Sequence, residues 1–161
     1  MTVPEGGYGR QAMSSTTGIL LVILASVIVS FAIAAAVVRA ARARADAALA
    51  DLGTPLRTAA ASALGRTGAD MESMTGTGTL VLTAEELGFA QWRPARLLRI
   101  RRADILRTDT TREHLGKSMK NDVLRLTWRG DGNVEESVAF FVRDLDPWLA
   151  DLGGHRSTDA E

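Results

Sequence analysis

Residues 11–38 contain no charged side chain, and this feature constrains the chain more than any other. From Gly18 to Val38 the residues are all apolar or small, with Ser26 and Ser30 as the polar exceptions. A helix needs about 20 such residues to cross the hydrocarbon core of a bilayer. The rest of the chain is too small to surround a helix that is apolar on every side. We therefore predict a membrane-spanning helix with Gly18 and Val38 at its ends.

Basic residues distinguish the two ends of this segment. Arg39, Arg42 and Arg44 follow it within two helical turns, whereas only Glu5 and Arg10 are charged before it. Lysine and arginine next to a span favour the cytoplasmic side. We expect a single pass through the plasma membrane, with the N-terminus outside and the C-terminal part in the cytoplasm.

A cleaved signal peptide is the alternative interpretation, with the alanines at 34–36 as a small-residue cleavage site. Signal peptides have a basic N-terminal region and an apolar core of about 7–15 residues. Here the N-terminal region is nearly neutral and the apolar core is longer. An uncleaved anchor is therefore the favoured prediction.

Composition narrows the function further. The 19 basic residues balance 19 acidic ones, which argues against a dedicated nucleic-acid-binding protein. No cysteine is present, so disulfides, thiolate metal sites and a cysteine nucleophile are excluded. All basic residues except Lys117 and Lys120 are arginine, and alanine and glycine are frequent, which indicates a bacterial genome of high GC content.

The sequence divides into a membrane part and a folded part. Residues 1–17 have the glycine- and serine-rich composition of a disordered tail. Because alanine favours helix, and because Thr54 and Pro55 are typical of a helix start, we predict a helical stalk over residues 39–65. A glycine-rich linker is expected over residues 66–76, then a domain over 77–154 and a disordered tail over 155–161.

Compact apolar runs and runs of alternating apolar and polar residues predict strands in the second part. The compact runs occupy residues 79–83 and 87–92. Residues 97–101 alternate, residues 105–111 can form a further strand, and residues 123–129 and 135–143 alternate again. The Asp-Gly-Asn sequence at 131–133 predicts a hairpin turn between the last two. Asp146 and Pro147 then begin an amphipathic helix that the glycines at 153 and 154 end. We expect Trp128, Phe140 and Trp148 to form much of the core.

Three segments of the second part share a pattern with a known family: residues 78–83 followed by Leu87 and Phe89, residues 100–105, and residues 141–152. They resemble the opening hairpin, the isoleucine-containing turn, and the last strand with closing helix of bacterial PH-like (GRAM-like) domains. The resemblance implies an α+β, mainly β fold: a seven-stranded, partly open antiparallel barrel closed by one C-terminal helix. It also implies a non-catalytic domain that binds phosphoinositide head groups or proteins.

The sequence offers no catalytic motif. His114 and His155 are isolated in polar segments, and no phosphate-binding loop or serine–histidine–aspartate arrangement is present. The acidic turn at 84–86 replaces the basic residues that head-group binding needs in the similar domains. We therefore expect no enzyme activity, no cofactor and no metal.

Nine basic and three acidic residues lie between Arg93 and Lys120. The arginine strip within this segment is the candidate anion- or partner-binding site: Arg93, Arg96, Arg99, Arg101 and Arg102. A solvated strand face is an equally good interpretation. Arginine suits both an anionic leaflet and an acidic protein surface.

The favoured hypothesis is a membrane-anchored module that holds a protein partner at the cytoplasmic face. The alternatives are a domain that senses anionic lipid and an accessory subunit of a membrane transporter. The small residues Ala25, Ser26, Ser30 and Ala34 leave self-association through the span open.

Overall fold

The computed structural model describes residues 11–68 and 74–156, with side chains from residue 18 onward. Two compact units divide at Arg39 and Ala40. The first unit contains most of helix α1 (Gln11–Leu49), which includes residues 11–17 of the expected disordered tail; that expectation is wrong for these seven residues. The remaining ten lie outside the described residues.

Helix α1 is long and apolar enough to cross a membrane by its length and composition. The stretch Gly18–Leu52 has a mean hydropathy of 2.9 in its most apolar window, and none of that window is buried. Its side chains are exposed from Gly18 onward through most of the first unit. An apolar helix surface that no protein covers is suited to contact with lipid.

Seven strands and a short helix occupy the described part of the second unit. They are β1 (Arg57–Arg66), β2 (Thr75–Leu82), β3 (Glu86–Gln91), β4 (Arg96–Arg101), β5 (Ile105–His114), β6 (Lys117–Arg129), β7 (Glu135–Val142) and α2 (Leu145–Leu152). The six predicted strand segments form β2 to β7, so those six strands are confirmed. The Asp-Gly-Asn turn between β6 and β7 is confirmed as well, with Gly132 and Asn133 in the left-handed conformation.

The strands form one antiparallel sheet in the order β4-β3-β2-β1-β7-β6-β5. Strand β1 lies at its centre, pairing with β2 on one side and β7 on the other. The sheet curls into a half-barrel, and α2 packs on β5 and β6. The expected α+β, mainly β architecture with one C-terminal helix is confirmed.

The helical stalk over residues 39–65 is wrong in its second half. Helix α1 ends at Leu49, a 3₁₀ turn covers Ala50–Leu52, and β1 follows from Arg57. The alanines that favour helix in isolation alternate here between the core and the outer face. Pairing with two neighbouring strands outweighs a helix propensity of a few tenths of a kcal/mol per residue.

The domain boundary is corrected for the same reason. The second compact unit begins at Ala40, so the folded part includes β1 and the end of α1 as well as the expected residues 77–154. Most of the predicted linker over 66–76 lies outside the described residues or at the ends of β1 and β2. The segment that resembles an opening hairpin does form a hairpin, but its strands are β2 and β3, since β1 precedes them in the chain.

The core fills the inside of the curled sheet. Phe89 and Phe140 are fully buried, with ring centroids 5.0 Å apart. Trp128 and Trp148 are buried beside them, which confirms the three expected aromatic core residues. Small side chains on β1, Ala61 and Ala63, leave room for these rings at the centre of the sheet.

The last turns of α1 pack on the outer face of β2 and β3. Ala45 and Leu49 are buried against Val81 and Ala90, and Leu52 covers the same patch. A polar chain borders this contact: the indole Nε1 of Trp92 donates to Thr79 Oγ1 at 3.1 Å, and Thr79 donates to Asp46 at 3.2 Å. The end of the helix is thus part of the folded unit.

Helix α2 closes the core with Trp148 and Leu149. It begins after Asp144, two residues before the predicted cap at Asp146, and ends at Gly153 in the left-handed conformation. His155 continues along β5, where its N–H donates to Thr108 O at 3.3 Å. The expectation of a disordered tail from residue 155 is therefore wrong for His155 and Arg156; residues 157–161 lie outside the described ranges.

Candidate interaction surface

Strand β4 carries three of the five candidate arginines, Arg96, Arg99 and Arg101, at one edge of the sheet. Leu98 and Ile100 point into the core, and Arg99 and Arg101 alternate with them on the outer face. Strand β4 pairs with β3 on one side and lies last in the strand order. The alternation seen in the sequence therefore places both guanidinium groups beside an unpaired strand edge.

A cleft of about 410 Å³ runs along this edge. Five consecutive β4 residues from Leu97 to Arg101 form one wall, and the opposite wall comes from the end of β6 and the turn after it, with Trp128, Arg129, Gly130 and Asp131. Four arginines and two aspartates line it: Arg66, Arg99, Arg101, Arg129, Asp104 and Asp131. We call this the β4 cleft.

Ion pairs orient three of these arginines. Arg99 donates through Nη2 to Asp51, and Arg101 donates to both carboxylate oxygens of Asp104, from Nε at 2.7 Å and from Nη2 at 3.3 Å. In each pair one side chain is about two-thirds exposed or more, so water screens both pairs and neither holds its arginine firmly. Both guanidinium groups can therefore exchange these carboxylates for other acceptors.

Arg66 is held more firmly at the base of the cleft. Its Nε donates to Glu136 Oε2 at 2.6 Å, and its guanidinium carbon lies 5.4 Å from the centroid of the Trp128 ring. Glu136 is buried, and a Cβ on Gly130 would collide with its carboxylate. Glycine at 130 thus allows the buried carboxylate that fixes Arg66. Arg129 forms no ion pair with any described residue.

The remaining candidate arginines lie outside the β4 cleft. Arg93 is exposed in the β3–β4 turn and Arg96 is exposed at the first position of β4, and neither forms an ion pair within the described ranges. Gln91 holds this turn, since its Nε2 donates to Thr75 O at 3.0 Å and to Arg93 O at 2.9 Å. Arg96 also lines a second cleft of about 190 Å³, together with Arg44 and Trp92.

The side chain of Arg102 is bound to backbone carbonyls within the fold. Its Nη2 donates to Asp151 O at 2.6 Å, and its Nη1 donates to Thr83 O at 3.4 Å. These contacts tie the end of α2 to the β2–β3 turn. The five arginines therefore do not form one strip: Arg99 and Arg101 share the β4 cleft, and Arg102 is engaged by backbone carbonyls.

The predicted anchor residues all fall on α1. Gly18 and Val38 are exposed on the helix, as are Arg39, Arg42 and Arg44. None of the three arginines forms an ion pair with a described residue. This is the pattern of a helix whose apolar stretch ends in free positive charge.

Sequence reasoning missed Arg66 and Arg129 as cleft residues. Arg66 lies in the predicted linker, and its partner Glu136 lies 70 positions away in the chain. For Arg129 a signal was present, because it ends an alternating strand whose outer face carries Arg125 and Arg129. Only the curl of the sheet brings that strand end opposite β4.

The described residues contain no group of three or more histidine, aspartate or glutamate side chains placed to hold a metal ion. His114 is buried with Nε2 3.0 Å from Gly65 O. Burial lowers the pKa of His114, and the positive charge of Arg125 lowers it further, whereas the hydrogen bond to Gly65 acts in the opposite direction. Asp109 is buried and accepts two hydrogen bonds from Arg125, at 2.8 and 2.7 Å. These groups are satisfied within the fold, whereas the β4 cleft presents its donors to solvent.

Comparison with known proteins gives little further information. No protein-family model matches the chain, and no curated protein matches it. A solved structure of the C-terminal domain of an unknown protein from Leishmania infantum is similar, with a TM-score of 0.46 and 17% sequence identity. The similarity covers 66% of this chain and 89% of that domain.

Proposed function

We propose that this protein is a non-enzymatic, membrane-anchored interaction module of bacterial origin. Its span holds a PH-like domain at the cytoplasmic face of the plasma membrane, and the β4 cleft binds a protein partner there. The order of the seven strands and the single closing helix support the PH-like assignment.

The observation that carries the proposal is the lining of the β4 cleft. Arg99 and Arg101 are oriented by ion pairs yet remain accessible, and Leu97 adds an exposed apolar side chain beside them. Arginine is enriched in protein interfaces because its planar guanidinium group binds carboxylates in a defined geometry. This combination favours a protein surface with acidic groups as the ligand.

The short connection to the span supports the membrane part of the proposal. Ala45, at which α1 packs on the sheet, lies seven positions after Val38 in the chain. Even a fully extended chain of that length spans no more than about 25 Å. The domain is thereby kept near the bilayer surface, which raises the effective concentration of any partner in the same membrane.

In-cell photo-crosslinking tests the partner directly. A photo-reactive amino acid replaces Leu97 in the full-length protein, and a second version carries it at Phe141, which is similarly exposed but lines a different groove. We expect a discrete protein adduct in the membrane fraction from position 97 and not from position 141. Adducts to lipid alone, or the same proteins from both positions, would contradict the proposal.

Protease protection tests the orientation. In spheroplasts with an intact membrane, we expect added protease to leave the domain uncut and to remove an epitope tag placed at the N-terminus. Digestion of the domain in intact spheroplasts would reverse the orientation and exclude a cytoplasmic partner. Lysed spheroplasts, in which the domain is digested, control for protease resistance of the fold.

One observation favours a second function, which is contact with anionic lipid. Arg44 and Arg96 line one small cleft beside the half-exposed Trp92, and neither forms an ion pair with a described residue. Cationic and tryptophan side chains together are typical of membrane-surface contacts. Trp128 and Trp148 are buried, so a change in fluorescence between environments reports mainly on Trp92.

Nanodiscs with and without anionic lipid test this second function. We expect the tryptophan emission of the full-length protein to shift to shorter wavelength in anionic discs and to return at high salt. The variant R44E/R96E should show no shift. Equal spectra of the unaltered protein in both kinds of disc would remove lipid contact at this cleft.

A further inference from the structure

The two edges of the sheet differ in whether another segment of the chain lies against them. At the β5 edge, the segment after α2 adds backbone contacts, with a bridge between Asp109 and His155. A Cβ on Gly154 would lie 2.7 Å from the Thr108 side chain, so this segment lies closely against the strand. At the β4 edge, no described residue pairs with the strand.

The β4 cleft exposes the strand edge itself. Its wall contains Leu98 and Ile100 as well as their outward-facing neighbours, although the side chains of these two residues are buried. Since alternate residues of an edge strand direct their N–H and C=O groups away from the sheet, a wall of consecutive residues presents unpaired backbone groups. An extended peptide can pair with them and continue the sheet.

Charge selects the occupant of this edge. The sequence of β4 is Arg-Leu-Leu-Arg-Ile-Arg, which has three cations and no acidic residue. Pairing with β4 of a second copy would bring arginines of like charge together, and this is destabilising. An added strand with acidic side chains at every second position would instead face Arg99 and Arg101.

We infer that the β4 edge binds an extended acidic segment of a partner protein by strand addition, with alternate carboxylates on the arginine face and apolar residues on the inner face. This inference rests on the proposed function and specifies the chemistry of its partner. Backbone hydrogen bonds to β4 provide the pairing, and Arg99 and Arg101 fix its register. Exchange of Asp51 and Asp104 for partner carboxylates keeps both guanidinium groups satisfied.

The test uses full-length protein in nanodiscs of neutral lipid and a decapeptide of alternating glutamate and valine. Hydrogen exchange measures the backbone amides of Arg96–Arg101. We expect several-fold slower exchange in β4 when the peptide is present. A decapeptide of alternating lysine and valine should leave the exchange unchanged.

A methylated peptide and a pair of charge-reversal variants separate strand pairing from charge attraction. A glutamate–valine peptide that is N-methylated at every second residue keeps its charge and loses one row of hydrogen bonds, so we expect no protection from it. The variant R99E/R101E should bind the unmodified peptide about tenfold more weakly. Neither Lys117 nor Lys120 lines the β4 cleft, so the variant K117E/K120E, which has the same change in charge, should bind as the unaltered protein does.

The outcomes distinguish this inference from the function on which it rests. Equal protection by the methylated peptide would overturn strand addition, and so would no protection by either peptide. A protein adduct at position 97 would still support the partner function in both cases. Dimerisation that is lost when β4 is altered would assign the edge to a second copy and overturn the acidic partner.

Discussion

Leu49 packs directly over Gly88, at the point where the end of α1 meets the outer face of β3. A Cβ at position 88 would lie 2.7 Å from Leu49 Cδ2 and would collide with Leu52 as well. Gly88 pairs across strands with Val81, which is part of the same buried patch. The missing side chain therefore creates the space into which the helix end fits.

Replacing Gly88 by valine should lower the free energy of unfolding by about 1–3 kcal/mol, because both leucine side chains must move. The change Leu52→Ala makes room, so the double variant G88V/L52A should lose less than the sum of the two single changes. Denaturant titration of the full-length protein in detergent micelles measures each value. Additive losses would mean that the leucines do not contact position 88.

Gly78 provides a comparison on the neighbouring strand. A Cβ there would collide with the Ala90 carbonyl and lie 2.6 Å from Phe89 Cζ in the core. A backbone carbonyl in a sheet cannot move aside as a leucine side chain can. We therefore expect Gly78→Ala to cost more stability than Gly88→Ala, measured in the same titration; the reverse order would contradict this packing.

The pair of Asp109 and Arg125 should be important for stability. Both residues face each other across β5 and β6, and the Asp109 side chain is 4% exposed. Asp109→Asn removes the carboxylate and leaves Arg125 without that partner, which costs about 3–5 kcal/mol where a buried pair is broken. Thermal unfolding in micelles measures the loss.

An exposed ion pair serves as the control for this change. Arg156 and Asp146 also form an ion pair, but their side chains are 53% and 74% exposed. Asp146→Asn should therefore change the unfolding free energy by less than about 1 kcal/mol. Equal effects of the two aspartate changes would show that Asp109 is not desolvated in the folded protein.

Sequence patterns were sufficient for β2 to β7 and insufficient for β1. In the later strands the inward positions carry large apolar residues, such as Leu124 and Leu126 of β6, so the alternation is visible. In β1 the inward positions are Ala61 and Ala63, whose size is set by the aromatic rings opposite them. A strand made of alanine has no periodicity of its own, because its neighbours determine its conformation.

The candidate site was predictable to a similar extent. The period of two in β4 predicts Arg99 and Arg101 on one face. No sequence pattern indicates that carbonyls bind Arg102, because its contacts to Thr83 and Asp151 join residues 19 and 49 positions away. Charge density alone cannot separate an arginine that supports the fold from one that faces a ligand.

Histidine protonation should make the stability depend on pH. Since burial lowers the pKa of His114 in the folded protein, the unfolded chain binds a proton first as the pH falls through about 6.5. The stabilising contribution of the neutral ring is therefore complete above that pH and is lost below it. Unfolding titrations between pH 7.5 and pH 5 should show a smaller decrease for H114Q than for the unaltered protein.

The second histidine supplies the control for this pH effect. His155 is exposed and bonds to β5 through its backbone N–H rather than its ring. The variant H155Q should keep the pH dependence of the unaltered protein. If H155Q removed the dependence and H114Q preserved it, the buried ring would not be the group that titrates.

Arg102 should separate fold stability from partner binding. Its guanidinium group donates to the carbonyl of Asp151 near the end of α2, where helix carbonyls lack partners within the helix. Loss of a hydrogen bond from a charged donor costs about 1.5–3 kcal/mol, so R102A should be destabilised by that amount. R96A changes an exposed side chain that has no ion pair with a described residue, so its free energy of unfolding should change by less than about 0.5 kcal/mol.

At a temperature where R102A remains folded, this variant should still give the protein adduct at position 97, because the β4 cleft does not include Arg102. Unchanged stability together with loss of the adduct would mean that Arg102 acts with Arg99 and Arg101 as one binding surface.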